Sequence, residues 1–185
     1  MRVFLAAVAV LLAGCGGGGG QAVLDVRVPG GEATAFAIGG GRALTVAHVL
    51  RGHDPVLVAT RPARVLRVDR RLDVAILAVR DGGSAVRIGA ARAGERVTVR
   101  VLREGAARSL PGTVRRVISA RVRGLDGRIR VRPALELAAA VMPGDSGAPV
   151  LDDGGRVLGV VFAQASRDEA LAYALDARAL FALMR

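Results

Sequence analysis

Apolar and polar residues alternate along most of this chain in short runs, separated by Gly and Pro at close intervals. Period-two alternation predicts strands, because successive strand side chains point to opposite faces. A weak alternation at 23–28 ends in the turn Pro29-Gly30-Gly31, and a strand is expected at 33–38. Gly39-Gly40-Gly41 turns into a strand at 43–46, after which a short helical turn is expected to carry His48. Further strands are expected at 56–59, 63–68, 74–79, 96–102, 113–122, 129–131 and 135–139. Strands at 149–151, 157–163 and 171–175 follow, the first two joined by the turn Asp152-Asp153-Gly154-Gly155. Asp176 reads as the N-cap of a helix over 177–184, where apolar residues recur at helical spacing. So many short strands between Gly and Pro predict an all-β barrel or sandwich.

The amino terminus departs from this pattern. Residues 1–14 read as an export signal, with one positive charge at Arg2 and an apolar run over 3–13. A run this short cannot cross a ~30 Å hydrocarbon core as a helix, so cleavage is expected rather than a permanent span. Leu12-Ala13-Gly14-Cys15 resembles a bacterial lipobox, which implies that Cys15 becomes the lipid-modified first residue. The other reading is an ordinary secretory signal with an incidental cysteine. Residues 15–22 then form a Gly-rich tether, whose five glycines at 16–20 span only about 12–13 Å as a coil. Cys15 is the only cysteine, so no internal disulfide can form although export would permit one. Residues 23–185 must rely on their own core, and that length suffices for one domain made of two small barrels, about 23–90 and 91–185.

Charge adds less than its size suggests. All 27 basic residues are arginine, lysine and asparagine are absent, and the net charge is +11. Lys and Asn codons are AT-rich, so their absence points to a GC-rich genome rather than to a mechanism. A nucleic-acid partner is not expected, since export and a single Tyr with no Trp argue against base stacking. Attraction to anionic lipid or wall polymer fits better. Alternation such as Val97-Thr98-Val99-Arg100-Val101 predicts that the arginines between Arg87 and Arg132 occupy solvent faces of half-buried strands. No metal-ligand cluster, phosphate loop or dinucleotide fingerprint is present, and no cofactor is expected.

Three motifs carry chemistry: Thr45-Val46-Ala47-His48, Asp73-Val74-Ala75-Ile76-Leu77 and Gly144-Asp145-Ser146-Gly147. Each alone has a bland reading, as a core or surface histidine, a strand-edge charge and a surface turn. Together they describe a serine hydrolase. Ser146 needs a base near neutral pH, His48 supplies one, and Asp73 would hold the imidazole in one tautomer and stabilise the imidazolium. Asp73 also opens an apolar run that reads as a buried strand. Gly144 allows a backbone geometry closed to other residues, so its N–H and that of Ser146 can aim at one point as an oxyanion hole. His53, in Arg51-Gly52-His53-Asp54-Pro55, reads as a loop residue with no role.

The order His, Asp, Ser and these three motifs resemble the trypsin-like serine proteases, over roughly residues 33–183. The resemblance is to small bacterial exported members without disulfides. It implies two packed six-stranded antiparallel β-barrels of the chymotrypsin-like type with a short C-terminal helix on the second. The activity implied is endopeptidase cleavage of protein or peptide through an acyl-enzyme, with catalytic domain outside the cytoplasmic membrane. It also implies that Ala140, six residues before Ser146, forms the base of the P1 pocket, that the strand containing Phe162 lines its wall, and that Gln164 narrows it where the family usually has glycine. A small or medium apolar P1 residue is then expected. Arg27-Val28-Pro29-Gly30-Gly31 lies too near His48, and Pro29 departs too far from the family pattern, to act as a zymogen activation site pairing a new amino terminus with Asp145. With the sequence read to Arg185, no PDZ domain is expected, unlike in the Htr-type proteases that the chain partly resembles. A catalytically silent binding protein and an esterase using the same triad remain the alternatives.

Overall fold

The computed structural model describes residues 22–52, 55–80, 83–124, 126–166 and 168–184. The export signal, Cys15, the glycines at 16–20 and His53 lie outside the described residues. Among the described residues, thirteen strands form two curled antiparallel sheets.

The first sheet has seven strands: β1 (Val23–Val28), β2 (Gly31–Gly39), β3 (Arg42–Val46), β4 (Val56–Val58), β5 (Arg61–Ala63), β6 (Val65–Asp69) and β7 (Val74–Ala78), ordered β5-β4-β1-β2-β3-β7-β6. One more strand is present than the six expected, because the run at 63–68 divides at Arg64. Ala59 and Thr60, both at positive φ, turn β4 back onto the separate short strand β5. The single helical turn α1 (Ala47–Leu50) follows β3 directly.

The second sheet is a closed six-stranded barrel: β8 (Arg96–Arg103), β9 (Ala106–Arg123), β10 (Ile129–Ala138), β11 (Pro149–Leu151), β12 (Val157–Ala165) and β13 (Asp168–Asp176). Two runs expected as separate strands, 129–131 and 135–139, merge into β10. Pro133 is tolerated within it opposite Ser119, and a bulge follows at Glu136/Leu137. The long β9–β10 hairpin extends well beyond the barrel.

Two apolar clusters account for the packing. One fills the barrel with Val99, Val101, Leu135, Leu137, Leu158 and others. The other joins the sheets, with Phe36, Leu44 and Leu77 from the first and Val160, Phe162 and Leu175 from the second. Truncating a fully buried leucine such as Leu44 or Leu77 is worth about 2–5 kcal/mol. Asp176 caps the terminal segment as its position predicts, accepting from Arg178 N at 2.9 Å. That segment is one 3-10 turn (Ala177–Leu180) followed by one α turn, α2 (Phe181–Met184), rather than a continuous helix. Leu180 and Leu183 join the cluster between the sheets, so the segment seals the seam as well as packing on β12 and β13.

Candidate active site

Asp73 stands between β6 and β7 in a left-handed conformation, φ +63°, which Asp tolerates better than most residues with a Cβ. This turn aims both its carbonyl and its side chain at the start of α1. A helix start leaves backbone N–H groups unpaired, and Val46 makes no side-chain cap here. Asp73 satisfies two of them: its carbonyl accepts from Ala47 N at 3.0 Å, and Oδ1 accepts from His48 N at 2.9 Å. Its second oxygen, Oδ2, lies 2.9 Å from His48 Nδ1. An ionised carboxylate only accepts, so Nδ1 carries the proton and Nε2 is left with the lone pair a base needs.

A third partner was not legible in the alternation. Arg132, on β10, is only 3% exposed, and its Nη1 lies 3.1 Å from Asp73 Oδ2 while donating to the Leu72 carbonyl at 3.2 Å. Its guanidinium stacks 5.2 Å above the centroid of Phe162. The expectation that arginines of this region face solvent holds for Arg96, Arg115 and Arg121 but fails at Arg132. Arg132, Ala134 and Glu136 form one buried row of β10, although two of the three are charged. Burial pushes the Asp73 carboxyl up, but the hydrogen bond and charge of His48, with those of Arg132, outweigh it and hold the group below its ordinary range.

Ser146 is partly exposed on the loop between β10 and β11. Its carbonyl accepts from Thr34 N at 2.9 Å, the Thr34 hydroxyl donates to the Gly144 carbonyl at 3.1 Å, and the Thr45 hydroxyl donates to the Thr34 carbonyl at 2.8 Å. The nucleophile loop is thereby tied to β2 and β3, the strands that lead to His48. Among the described residues the Ser146 hydroxyl makes no hydrogen bond to His48. Such contacts often tighten only in the substrate complex.

Gly144 has φ +95°, a region disfavoured for residues with a Cβ. Among the described residues neither Gly144 N–H nor Ser146 N–H has an acceptor, whereas their neighbours do: Asp145 N donates to the Met142 carbonyl and Gly147 N to that of Val161. Two adjacent free donors beside a serine suit an oxyanion. Asp145, 1% exposed, turns inward beneath this loop. Its carboxylate receives Arg103 Nη2 at 2.6 Å, Arg103 Nε at 3.2 Å and Met142 N at 2.9 Å. Arg103 also donates from Nη2 to the Ala140 carbonyl at 3.2 Å.

Of the residues expected around the P1 side chain, Phe162 and Gln164 lie on β12 and Ala140 lies just before the nucleophile loop. Phe162 is buried below Arg132 and stacked on Tyr173 at 6.5 Å, and it floors a groove of about 990 Å³ beside His48 and Asp73. Gln164 is tied through its amide to the Glu169 carbonyl at 3.2 Å, while Ala140 is exposed next to the nucleophile loop. A second hollow of about 520 Å³, near Arg96 and Pro111, contains no His, Ser or Cys. No cluster of His, Cys, Asp and Glu fit to hold a metal occurs among the described residues.

The profile of the trypsin-like peptidase domain matches residues 33–160, which span β2 to β12 and hold all three motifs. The chain belongs to that family. The trypsin-like domain is 35% identical over 158 residues to the serine protease Rv3671c of Mycobacterium tuberculosis strain H37Rv, covering 79% of this chain and 39% of the relative. The serine protease MT3772 of strain CDC 1551 matches to the same extent. The chain thus spans about two fifths of the length of these curated relatives. Among solved structures, the active form of the Rv3671c protease superposes with a TM-score of 0.79 at 31% identity, covering 86% of this chain and 78% of that one. The HtrA-type protease AlgW with a tripeptide shares the fold of this trypsin-like domain, with a TM-score of 0.75 at 21% identity over 89% of this chain and 59% of that one.

Proposed function

We propose that this chain is a serine endopeptidase in which His48, Asp73 and Ser146 form the catalytic triad. The observation that carries the reading is Asp73 gripping His48 through both its backbone N–H and Nδ1. That grip fixes the ring and tautomer before substrate arrives, so little reorganisation remains for the chemical step.

Ser146 Oγ attacks the scissile carbonyl carbon while Nε2 of His48 takes the hydroxyl proton. The carbonyl oxygen becomes an oxyanion held by Gly144 N–H and Ser146 N–H, each donor being worth about 3–4 kcal/mol in the transition state. Collapse of the tetrahedral intermediate breaks the C–N bond, and imidazolium gives its proton to the departing amine. Water, deprotonated by His48, then hydrolyses the acyl-enzyme by the same steps in reverse. Asp73 stays ionised throughout, which its lowered proton affinity favours.

Beyond Val160, β12 is no longer paired with β11, so residues 162–165 have a ladder edge open to an extended substrate. The pocket formed around Ala140, with Gln164 at its rim, takes a small or medium apolar P1 residue. Asp145, one residue before the nucleophile, is already committed to Arg103 and is not free to meet a basic side chain. The domain acts outside the cytoplasmic membrane, held there by lipid on Cys15.

A fluorophosphonate probe tests the nucleophile. Labelling confined to Ser146, together with turnover of peptide amides, supports an endopeptidase; turnover of esters alone would make it an esterase, and no labelling would make it a silent relative.

A further inference from the structure

The groove beside His48 has a charge that the triad does not need. It runs between α1, the turn after β6, the tip of the β9–β10 hairpin and residues 162–163 of β12. Five arginines line it against two carboxylates, Asp73 and Asp126. Asp73 is matched by Arg132 at 3.1 Å, and Asp126 by Arg130 at 2.6 Å. Arg51, Arg70 and Arg123 are left. Arg51 Nε donates to the His48 carbonyl at 3.1 Å and Arg123 Nη1 to the Gly127 carbonyl at 2.8 Å, but among the described residues none of the three meets a carboxylate. The two carbonyl contacts aim Arg51 and Arg123 without neutralising them. The same walls are apolar between the charges, with Val65 and Val68 exposed at 37% and 41%.

We infer that this groove selects substrates with an acidic side chain, flanked by apolar ones, a few residues from the scissile bond on the side that runs along β12. The inference rests on the endopeptidase reading above and deepens it by naming a substrate class. A cleaved peptide must pass His48, so the groove next to it is where substrate side chains fall. An Asp or Glu there gains three unneutralised guanidiniums, and a cation is repelled by them. Arginine suits this role because its planar fork binds carboxylates in two-point fashion. A membrane surface would use the same charge, but it cannot follow a groove whose floor is the buried ring of Phe162.

The test is a peptide series on the full domain with Glu, Gln or Lys placed in turn at each of the four positions before the cleaved bond. At one or two positions kcat/KM should be about five- to tenfold higher for Glu than for Gln, lower again for Lys, and the ratio should shrink in 1 M salt. The double variant Arg70→Gln, Arg123→Gln should bring the Glu-to-Gln ratio close to one, and Arg70→Glu should turn the preference toward Lys. Equal rates for Glu and Gln peptides in the wild type, or a ratio unchanged in both variants, would overturn the inference and leave the endopeptidase reading intact. Loss of binding to anionic vesicles in the double variant with an unchanged peptide ratio would overturn it in favour of a membrane contact. Absence of cleavage of every peptide, with no labelling of Ser146, would overturn both readings.

Discussion

Arg103 reaches from the end of β8 to hold the buried carboxylate of Asp145 at 2.6 Å, one residue before the nucleophile. In this position a protein that matures by cleavage would need a new amino terminus. Here the cation is built in. Val28, in the segment set aside above as an activation site, is paired with Gly31 at the end of β1 and buried.

Arg103→Gln should therefore lower kcat by at least tenfold with a smaller change in KM, because the loop that presents the two oxyanion donors loses its anchor. Stability should fall by about 2–3 kcal/mol, since Asp145 stays buried with one partner fewer. Arg103→Lys should restore little, as one ammonium cannot replace contacts from both Nε and Nη2. Steady-state kinetics and urea unfolding check both parts. Full activity in Arg103→Gln would show that the loop is held by Thr34 alone.

Arg132 makes a separate, pH-dependent contribution through Asp73. The Asp73 carboxyl is held below its ordinary value when folded, so its stabilisation is present above the unfolded pKa and is lost as pH falls through the folded one. Arg132→Met removes one cause of that depression. Acid unfolding should then begin at higher pH than in the wild type, and the stability difference between the two proteins should be largest near neutrality and shrink as pH falls through the folded value. Circular dichroism across an acid titration checks this; an unmoved acid midpoint would show that His48 alone sets the Asp73 carboxyl.

Two glycines of the nucleophile loop should respond differently. Gly147, at φ +91°, would place a Cβ on the Thr34 carbonyl, so Gly147→Ala should destabilise the fold severely. Gly144→Ala meets only the Glu32 side chain, at 3.2 Å, but is strained at φ +95°. It should fold and lose about 10²-fold in kcat as the oxyanion donor shifts. Thermal melting and kinetics separate the two outcomes.

Cys15→Ser should release the protein from the membrane fraction without changing turnover of a soluble peptide. If Cys15 carries two or more acyl chains as proposed, each buried methylene contributes about 0.8 kcal/mol to the anchor and the substitution removes all of it. Persistence in the membrane after a high-salt wash would require another anchor, while binding lost in salt would implicate the arginines.

The sequence was most informative where a role depends on short local motifs. His48, Asp73, Ser146 and Gly144 each stand in one, and β7 is visible as the apolar run that Asp73 opens. Partners contributed by distant strands were not. Arg132 reaches Asp73 from the other sheet, Arg103 reaches Asp145 from β8, and Thr34 ties Ser146 to β2, all through tertiary contacts that leave no local periodicity. Alternation placed most strands but not their divisions: a pair of positive-φ residues at Ala59 and Thr60 created β5, and the tolerance of β10 for Pro133 joined two runs.

The most direct measurement is single-turnover and steady-state cleavage of one peptide amide by wild type, Ser146→Ala, His48→Ala and the double variant. Each single change should leave the fold intact and reduce kcat by about 10⁴–10⁶, and the double variant should lose little more than either, because the groups act as a unit. Losses that multiply fully in the double variant, or an active Ser146→Ala protein, would contradict the assignment of Ser146 and His48 as nucleophile and base.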